Sequence, residues 1–458
     1  MMKPYQKALI ANGAQIYEVG GTIRDRLMGR ERKDLDYLIR NLPIDSLIST
    51  LKPFGKVMLV GKSFGVVKFY PHQETDKEID IALPRKEFST GVGHKDFKVD
   101  FDHTLKVEDD LGRRDFTVNA MAYDLENELL IDPFNGKSDI EKRLIRQVFP
   151  KAFEDDPLRM LRAIQFASRL NFKIDEATFD SIRSHAELIN SVSSERIIAE
   201  LTKLFRAKKP SIGIDAMYET GLLQIIFPEV AALKDIEQDK QPGEDVYDHT
   251  MRVLDAAAND DMVENRGNLN LLFAALLHDI GKKKTKRYDE QAKAIVFFGH
   301  QIVSARLAKR ILQRLKATTC NVDIQLVCSI IENHMFETKS HFTDRAIRRF
   351  VSKVGQENIF LLLDFRLADN RGGKHPMSTR GVEKLRSRIR EELAKKPPFG
   401  AKDLKINGHD LMKLNIQEGP IIGQIMNKLV EVVLDNPEMN EPDILIKEAQ
   451  RIIDEEKG

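Results

Sequence analysis

Two cysteines in 458 residues, Cys320 and Cys328, are too few for a disulfide framework and point to a reducing compartment, the cytoplasm. No uninterrupted apolar run approaches the ~20 residues needed to cross a bilayer. The opening MMKPYQKALIANG lacks the charged, apolar, small-residue order of a signal peptide. A surplus of one charge is missing too: 72 basic and 71 acidic side chains leave a net +1. That balance excludes a long basic tail wrapped on nucleic acid but leaves room for a local basic stripe. No repeat of solenoid period and no low-complexity tract is visible. What is present is a folded chain's mixture, 42% hydrophobic and 31% charged. Its length suits about three domains at roughly 150 residues each.

Residues 1–145 alternate strand-length apolar blocks (QIYEVGG, LDYLIR, KVMLVG, FGVVKFY, EIDIAL, FTVNAMAYD) with turn signals and one or two helices. From Asp156 onward apolar residues recur three and four apart, as in PLRMLRAIQFASRL, SERIIAELTKLFRA and LLFAALLHDIG, which is the spacing of helices. The fold class is therefore α+β, a mixed head followed by a long all-α body. Joints are expected at 235–245, 370–380 and 396–401, each rich in Gly, Pro or charge. The basic runs RAKKP and KKKTKR read most simply as solvated surface.

Chemistry concentrates first in the head. Gly20-Gly21-Thr22-Ile23-Arg24-Asp25 lies between a strand pattern and a helix pattern, where paired glycines let backbone N–H groups approach phosphate oxygens. A turn is the plainer account of Gly-Gly alone. Asp34 and Asp36 are two apart on a strand and share a face, so their mutual repulsion calls for a cation such as Mg²⁺. A third acid, Asp80, sits between Ile79 and Ile81 on another strand. Three carboxylates on neighbouring strands could hold two Mg²⁺ ions beside a triphosphate. In Arg113-Arg114-Asp115-Phe116-Thr117-Val118-Asn119 the arginines suit phosphates and Asn119 a ribose hydroxyl.

In this order the motifs resemble the class II tRNA nucleotidyltransferase and bacterial poly(A) polymerase family, whose heads are polymerase β-like, and the similarity runs at least through residues 16–205. The resemblance implies Asp34 and Asp36 as metal ligands, Asp80 as the third acid, and Gly21, Arg24 and Arg114 as triphosphate contacts. It also implies attack of an RNA 3′-hydroxyl on the α-phosphate of a nucleotide, with pyrophosphate leaving.

Glu154-Asp155-Asp156-Pro157-Leu158-Arg159 reads two ways. Asp156 as N-cap with Pro157 at the first helical position is one. The other pairs Asp156 with Arg159, three apart, against the incoming base. A carboxylate accepts from the exocyclic amine of C or A while a guanidinium donates to ring acceptors, and U and G present a carbonyl instead. The resembling enzymes use such a segment as an amino-acid template, with Glu where Asp155 stands here, and Arg162 one turn on would also reach the nucleotide. The polar segment between Arg85 and Arg113 fits the flexible loop those enzymes use in switching from C to A.

A second constellation occupies the body: His249, His278, Asp279, His300, His334 and Asp369, all of metal-ligand type. His278-Asp279 ends a strongly apolar helix, where buried polar groups need partners. The order, with YDHT and LLHDIGK around it, resembles the HD phosphohydrolase superfamily. That resemblance implies His249, His278, Asp279 and Asp369 as core ligands of a divalent transition metal. His300 and His334 would be the further ligands of dinuclear members, and Asp364 rivals Asp369. A degenerate, structural HD fold is the bland alternative.

The expected division is a nucleotidyltransferase head at 1–146, a helical neck with the nucleotide-selecting segment and RNA binding at 147–236, an HD domain at 237–375 and a helical tail at 376–458. The expected function is addition of C, C and A to tRNA from CTP and ATP with Mg²⁺, without a nucleic-acid template, in the cytoplasm. An A-adding enzyme, an RNA-end phosphohydrolase and a non-catalytic RNA-binding protein stand as alternatives, and the oligomeric state is open.

Overall fold

In a computed structural model, the described residues are 2–30, 35–60, 66–72, 78–89, 97–237, 245–338, 342–373, 377–414, 416 and 419–457. They form two compact units, Met1–Ala231 and Ala232–Gly458.

Among the described residues the first unit opens with nine strands: β1 Gln15–Val19, β2 Leu35–Arg40, β3 Gly55–Val60, β4 Val66–Pro71, β5 Ile79–Ala82, β6 Arg85–Ser89, β7 Phe97–Phe101, β8 Ala122–Asp124 and β9 Leu129–Ile131. Seven make one sheet in the order β3-β4-β5-β2-β1-β8-β9, while β6 and β7 pair only with each other. Within the sheet β2 runs parallel to β5 and the other pairs are antiparallel. Because side chains alternate along a strand, one face collects Ile39, Val67, Phe69, Ile79 and Ile81. The helices Pro4–Ala11 and Ile44–Leu51 cover that face with Tyr5, Leu9, Leu47 and Leu51, and Tyr5 meets Phe69 edge-on at 5.1 Å. The intervening positions, Asp36, Lys68 and Asp80, are left for the other face.

Two expectations need correction here. The head holds five α-helices among the described residues rather than one or two. The polar stretch after Arg85 is also not a loop throughout: β6 and β7 pair along their length, and a helix follows at Val107–Gly112. That helix forms because Val107 and Leu111, four apart, bury one face against Tyr17, Val19 and Leu38. Residues 90–96 of the stretch lie outside the described residues.

The rest of the unit is helical. Leu158–Leu170 buries Leu158, Met160, Leu161, Ile164 and Leu170 and ends at Asn171, whose φ of 57° is the left-handed stop tolerated by Asn. It packs against Ser194–Leu204. A short parallel pairing of Leu144–Ile145 with Lys173–Ile174 interrupts the helical pattern.

The second unit packs the helices Val246–Asn259, Leu269–Leu277, His300–Arg314, Ile324–Asn333 and Ile359–Gly372 around one another. A hairpin, Arg287–Asp289 with Ala294–Val296, departs from the all-α expectation. Farther on, Leu404, Leu411, Ile425, Leu429, Leu445 and Ile452 make a separate apolar cluster among the last helices. Buried Arg348 joins the two parts of this unit, pairing with Glu392 at 2.7 Å and donating to the carbonyls of Leu434 and Asp435. Among the described residues no helix is long and apolar enough to cross a membrane.

Candidate functional site

The parallel pairing of β2 with β5 sets Asp36 directly opposite Asp80. Asp34 lies outside the described residues. Lys68 on β4 is the antiparallel partner of Asp80, and its Nζ stands 3.7 Å from Asp80 Oδ1 while also pairing with Glu78. Asp80 Oδ1 is shielded from solvent and accepts no hydrogen bond among the described residues. Two carboxylates in register, one with an unsatisfied oxygen, suit a hard cation with oxygen ligands.

The glycine pair lies under two guanidinium groups. Gly20 has φ +68°, a backbone angle that favours glycine, and a Cβ there would meet Arg114 Nη1 at 2.8 Å and displace that guanidinium. Gly21 opens the helix Gly21–Leu27, with Arg24 Nη2 3.4 Å from the position a Cβ would take. Arg114 Nη2 is held by Asp110 Oδ2 at 3.2 Å, and Arg113 grips the other oxygen of the same buried carboxylate. Burial would raise the Asp110 pKa, but Arg114 and Arg113 outweigh it and hold the group below its usual range.

Asp115, absent from the residues singled out in the sequence, organises the rest. Its Oδ2 accepts from Arg162 Nε at 2.9 Å and Nη2 at 2.7 Å, and its Oδ1 from Asn119 Nδ2 at 3.1 Å. Asn119 Oδ1 in turn accepts from Arg24 Nη1 at 2.7 Å. Burial pushes Asp115 up, yet Arg162 and Asn119 pull it below the ordinary carboxylate value. Arg24, Asn119 and Arg162, from three distant stretches, thus form one chain of charge-assisted hydrogen bonds. The amide of Asn119 is committed to Arg24 and Asp115 and not left open for a ribose. The signal in the sequence was Asp115 itself, an acid between an arginine pair and a buried Phe.

The selecting segment fits the first of the readings offered for it and departs from the second. Asp156 is extended (φ −141°, ψ 99°) while Pro157 is already helical, and Asp156 Oδ1 accepts from Leu158 N at 3.2 Å, so Asp156 caps the helix Leu158–Leu170 with Pro157 at its first position. Its Oδ2 pairs with Arg196 at 2.8 Å, not with Arg159, because the helix Ser194–Leu204 brings Arg196 alongside. Arg159 donates Nη2 to the Arg113 carbonyl at 3.0 Å, and its Nη1 is buried without a partner among the described residues. Arg196 carries no sequence motif of its own.

In the second unit, all six expected metal-type residues converge. Ligand atoms of His249, His278 and Asp369 lie within 4.8 Å of one another, as do those of Asp279, His300 and His334. Every one is buried. Asp279 links the two sets, with Oδ2 3.1 Å from His278 Nε2 and Oδ1 3.4 Å from His300 Nε2. His249 Nε2 stands 3.1 Å from Asp369 Oδ1, and His300 Nε2 3.4 Å from His334 Nε2. Helix ends do the aiming: His278 caps Leu269–Leu277, His334 caps Ile324–Asn333 and His300 begins His300–Arg314. The Nδ1 atoms of His278, His300 and His334 face the carbonyls of Ala275, Phe297 and Ile331 at 2.9, 2.8 and 2.6 Å, which turns each Nε2 toward the cluster.

The electrostatics fit a metal. Burial, then His278, pushes His334 down to about 3, so its Nε2 is a free lone pair at neutral pH. Burial would raise Asp279, but His278 and Lys282 hold it well below the usual carboxylate range. His278 Nε2 and Lys282 Nζ both approach Asp279 Oδ2, at 3.1 and 2.8 Å. A buried set of imidazole nitrogens and carboxylate oxygens crowded this closely suits a divalent cation among them. The rival Asp364 is drawn away: it takes Arg386, the backbone N–H groups of Glu264 and Asn265, and Asn265 Nδ2 at 2.6 Å.

Comparison with known proteins agrees with this arrangement. Residues 16–146 match the poly A polymerase head domain, 171–234 the probable RNA- and SrmB-binding site of polymerase A, and 246–371 the HD domain. The multifunctional CCA protein of Haemophilus influenzae is 33% identical over 371 residues, covering 78% of this chain and 85% of that protein. Its namesake from Neisseria gonorrhoeae is 34% identical over 366 residues, 78% of this chain and 84% of that one. The crystal structure of the Bacillus stearothermophilus CCA-adding enzyme with CTP superposes with a TM-score of 0.70 at 25% identity, covering 100% of both chains. The fold is also that of the Thermotoga maritima CCA-adding enzyme solved with tRNA, with a TM-score of 0.57 at 23% identity over 98% of this chain and 94% of that one. With a poly A polymerase head match, an RNA-binding match and an HD match in one chain, and with identities of 33–34% along 78% of its length, this chain belongs to the multifunctional CCA protein family of nucleotidyltransferases.

Proposed function

We propose that this chain adds C, C and A to the 3′ end of tRNA from CTP and ATP without a nucleic-acid template, and that its HD domain is a second, metal-dependent phosphohydrolase site. The observation that carries the reading is its similarity to multifunctional CCA proteins along 78% of the chain, through head and HD domain alike. In this reading the division expected from sequence assigns nucleotide transfer to 1–146, base selection and RNA binding to 147–236 and phosphoester hydrolysis to 237–375.

Asp36 and Asp80, with Asp34 two residues before Asp36, would hold Mg²⁺, which supplies charge neutralisation at the reacting phosphate. Arg24 and Arg114, poised over Gly20 and Gly21, bind the triphosphate, and Gly21 lets it approach the backbone. Asn119 and Asp115 hold Arg24 and Arg162 in place, so these guanidiniums meet the nucleotide already oriented. Arg159 turns its unpartnered Nη1 to a ring acceptor of C or A. Asp156, fixed by Arg196, keeps lone pairs for the exocyclic amine. The RNA is held by shape and backbone, since every tRNA must be accepted. In the HD domain His249, His278, Asp279 and Asp369, with His300 and His334, would hold a divalent transition metal.

Incorporation of labelled CTP and ATP into tRNA lacking its 3′ end, with Asp36→Ala as the blank, tests the head. Three additions ending in A are expected. Addition of A to CC-ended tRNA only would make this an A-adding enzyme, and no incorporation would overturn the reading.

A further inference from the structure

One row of the head sheet carries a charge on each of three neighbouring strands: Lys68 on β4, Asp80 on β5 and Asp36 on β2, each in register with the next. Residues paired in this way share a face, and neighbouring strands lie about 4.8 Å apart. The row therefore sets one ammonium beside two carboxylates, on the face opposite the one that packs on Pro4–Ala11 and Ile44–Leu51.

A further acid reaches the same lysine. Glu78, two residues before Asp80, pairs with Lys68 Nζ through Oε1 and accepts from the Tyr70 hydroxyl at 2.6 Å through Oε2. Lys68 Nζ is thus bonded to Glu78 while it stands 3.7 Å from Asp80 Oδ1, too far for a hydrogen bond. That Asp80 oxygen is shielded from solvent and accepts no hydrogen bond among the described residues. Glu78 is engaged at both oxygens, and the ammonium has two carboxylates within reach.

Such an arrangement is a counter-charge with two stations. A shielded carboxylate oxygen without a donor is unfavourable, and a nearby ammonium offsets part of that cost. Were Asp36 and Asp80 to hold a divalent cation, the compensation would be larger and the ammonium would be repelled. Lysine carries its charge on a flexible four-carbon stem, so Lys68 can leave Asp80 without leaving Glu78.

We propose that Lys68 and Glu78 form a charge-exchange pair that sets how tightly Asp36 and Asp80 hold a divalent cation: Lys68 compensates Asp80 when the carboxylates are free and retires onto Glu78 when they take the ion. The proposal rests on the reading of these acids as the Mg²⁺ ligands of the head. Lys68 is a positioning residue that acts through Asp80, and Glu78 acts only through Lys68.

Binding of Mn²⁺ to the full chain, followed by electron paramagnetic resonance without nucleotide or RNA and carried to millimolar concentration, tests this without turnover. The binding phase lost in Asp36→Ala is the head's, and the histidine cluster supplies the rest. Lys68→Met removes the competing ammonium and should tighten the head phase about fivefold, whereas Glu78→Gln leaves Lys68 to Asp80 and should weaken it about fivefold. Both side chains are partly exposed, and Gln keeps an acceptor for Tyr70.

The double variant separates exchange from a general field. Because Glu78 acts through Lys68, Glu78→Gln in the Lys68→Met background should change nothing, and the double variant should match Lys68→Met to within about twofold. A Glu78→Gln effect of equal size with and without Lys68 would mean that each charge acts on the ion by itself, and would overturn the exchange. So would a head phase that neither single variant moves. If Asp36→Ala removes no phase at all, the metal reading of the head fails first and takes the exchange with it. The Mg²⁺ concentration for half-maximal CTP incorporation into tRNA should follow the same order, Lys68→Met below wild type and Glu78→Gln above it. A reversed order would overturn the proposal as well.

Discussion

Asp115 shows how one buried carboxylate serves a site it never has to touch. It receives Arg162 through two nitrogens and Asn119 through a third, and Asn119 passes the constraint to Arg24. Removing it leaves the half-buried Arg162 with only Glu200, at 3.6 Å, and takes one acceptor from the Asn119 amide. Asp115→Ala should cost about 3 kcal/mol and raise the KM for CTP by loosening Arg162. An unchanged urea midpoint would refute the structural part. Asp110 and Asp115 also set an acid limit. Both have folded-state pKa values below the unfolded value of about 3.9. Their contribution is therefore whole above about pH 4 and is lost as pH falls through the lower folded values. Acid unfolding followed by circular dichroism should steepen below about pH 4, and Asp115→Asn should flatten that limb.

Elements position what residues carry. Gly281 packs on the first turn of His300–Arg314, where a Cβ would sit 2.5 Å from the His300 carbonyl and 2.8 Å from Ser304 N. Its own N–H donates to Ser304 Oγ at 2.9 Å. Gly281→Ala must push that helix and His300 with it, so metal affinity measured by calorimetric titration should fall at least tenfold. The two aspartates of Ile359–Gly372 separate in the same way. Asp364 faces Arg386, Glu264 and Asn265, while Asp369 faces His249. Asp364→Ala should lower the melting temperature and keep the metal stoichiometry, whereas Asp369→Ala should lose metal. A reversed result would restore Asp364 as the ligand.

At the scale of the whole molecule, two compact units each have their own core and their own chemistry. A ligand stabilises only the unit that binds it, by about 2.7 kcal/mol at a hundred times its dissociation constant. Scanning calorimetry should show two transitions, of which Ni²⁺ or Mn²⁺ at low concentration raises one and CTP with Mg²⁺ the other. A single transition that moves as one with either addition would contradict that division.

The sequence by itself determined the fold class and the metal-type side chains that converge in the second unit. Those follow from local periodicity and from residue types whose chemistry is the same wherever the fold puts them. Asp34, Asp36 and Asp80 were readable as candidate acids for a related reason, since alternation along an apolar strand leaves an acid one face; that Asp36 stands opposite Asp80 came from the strand register. What only the tertiary structure decided is partnership. That Asp156 answers to Arg196 and not Arg159, that Asp115 gathers Arg162 and Asn119, and that Asp364 leaves the metal cluster to Asp369 are matters of which helix packs beside which. Packing between segments distant in the chain is fixed by the fit of buried surfaces, and no local pattern carries it.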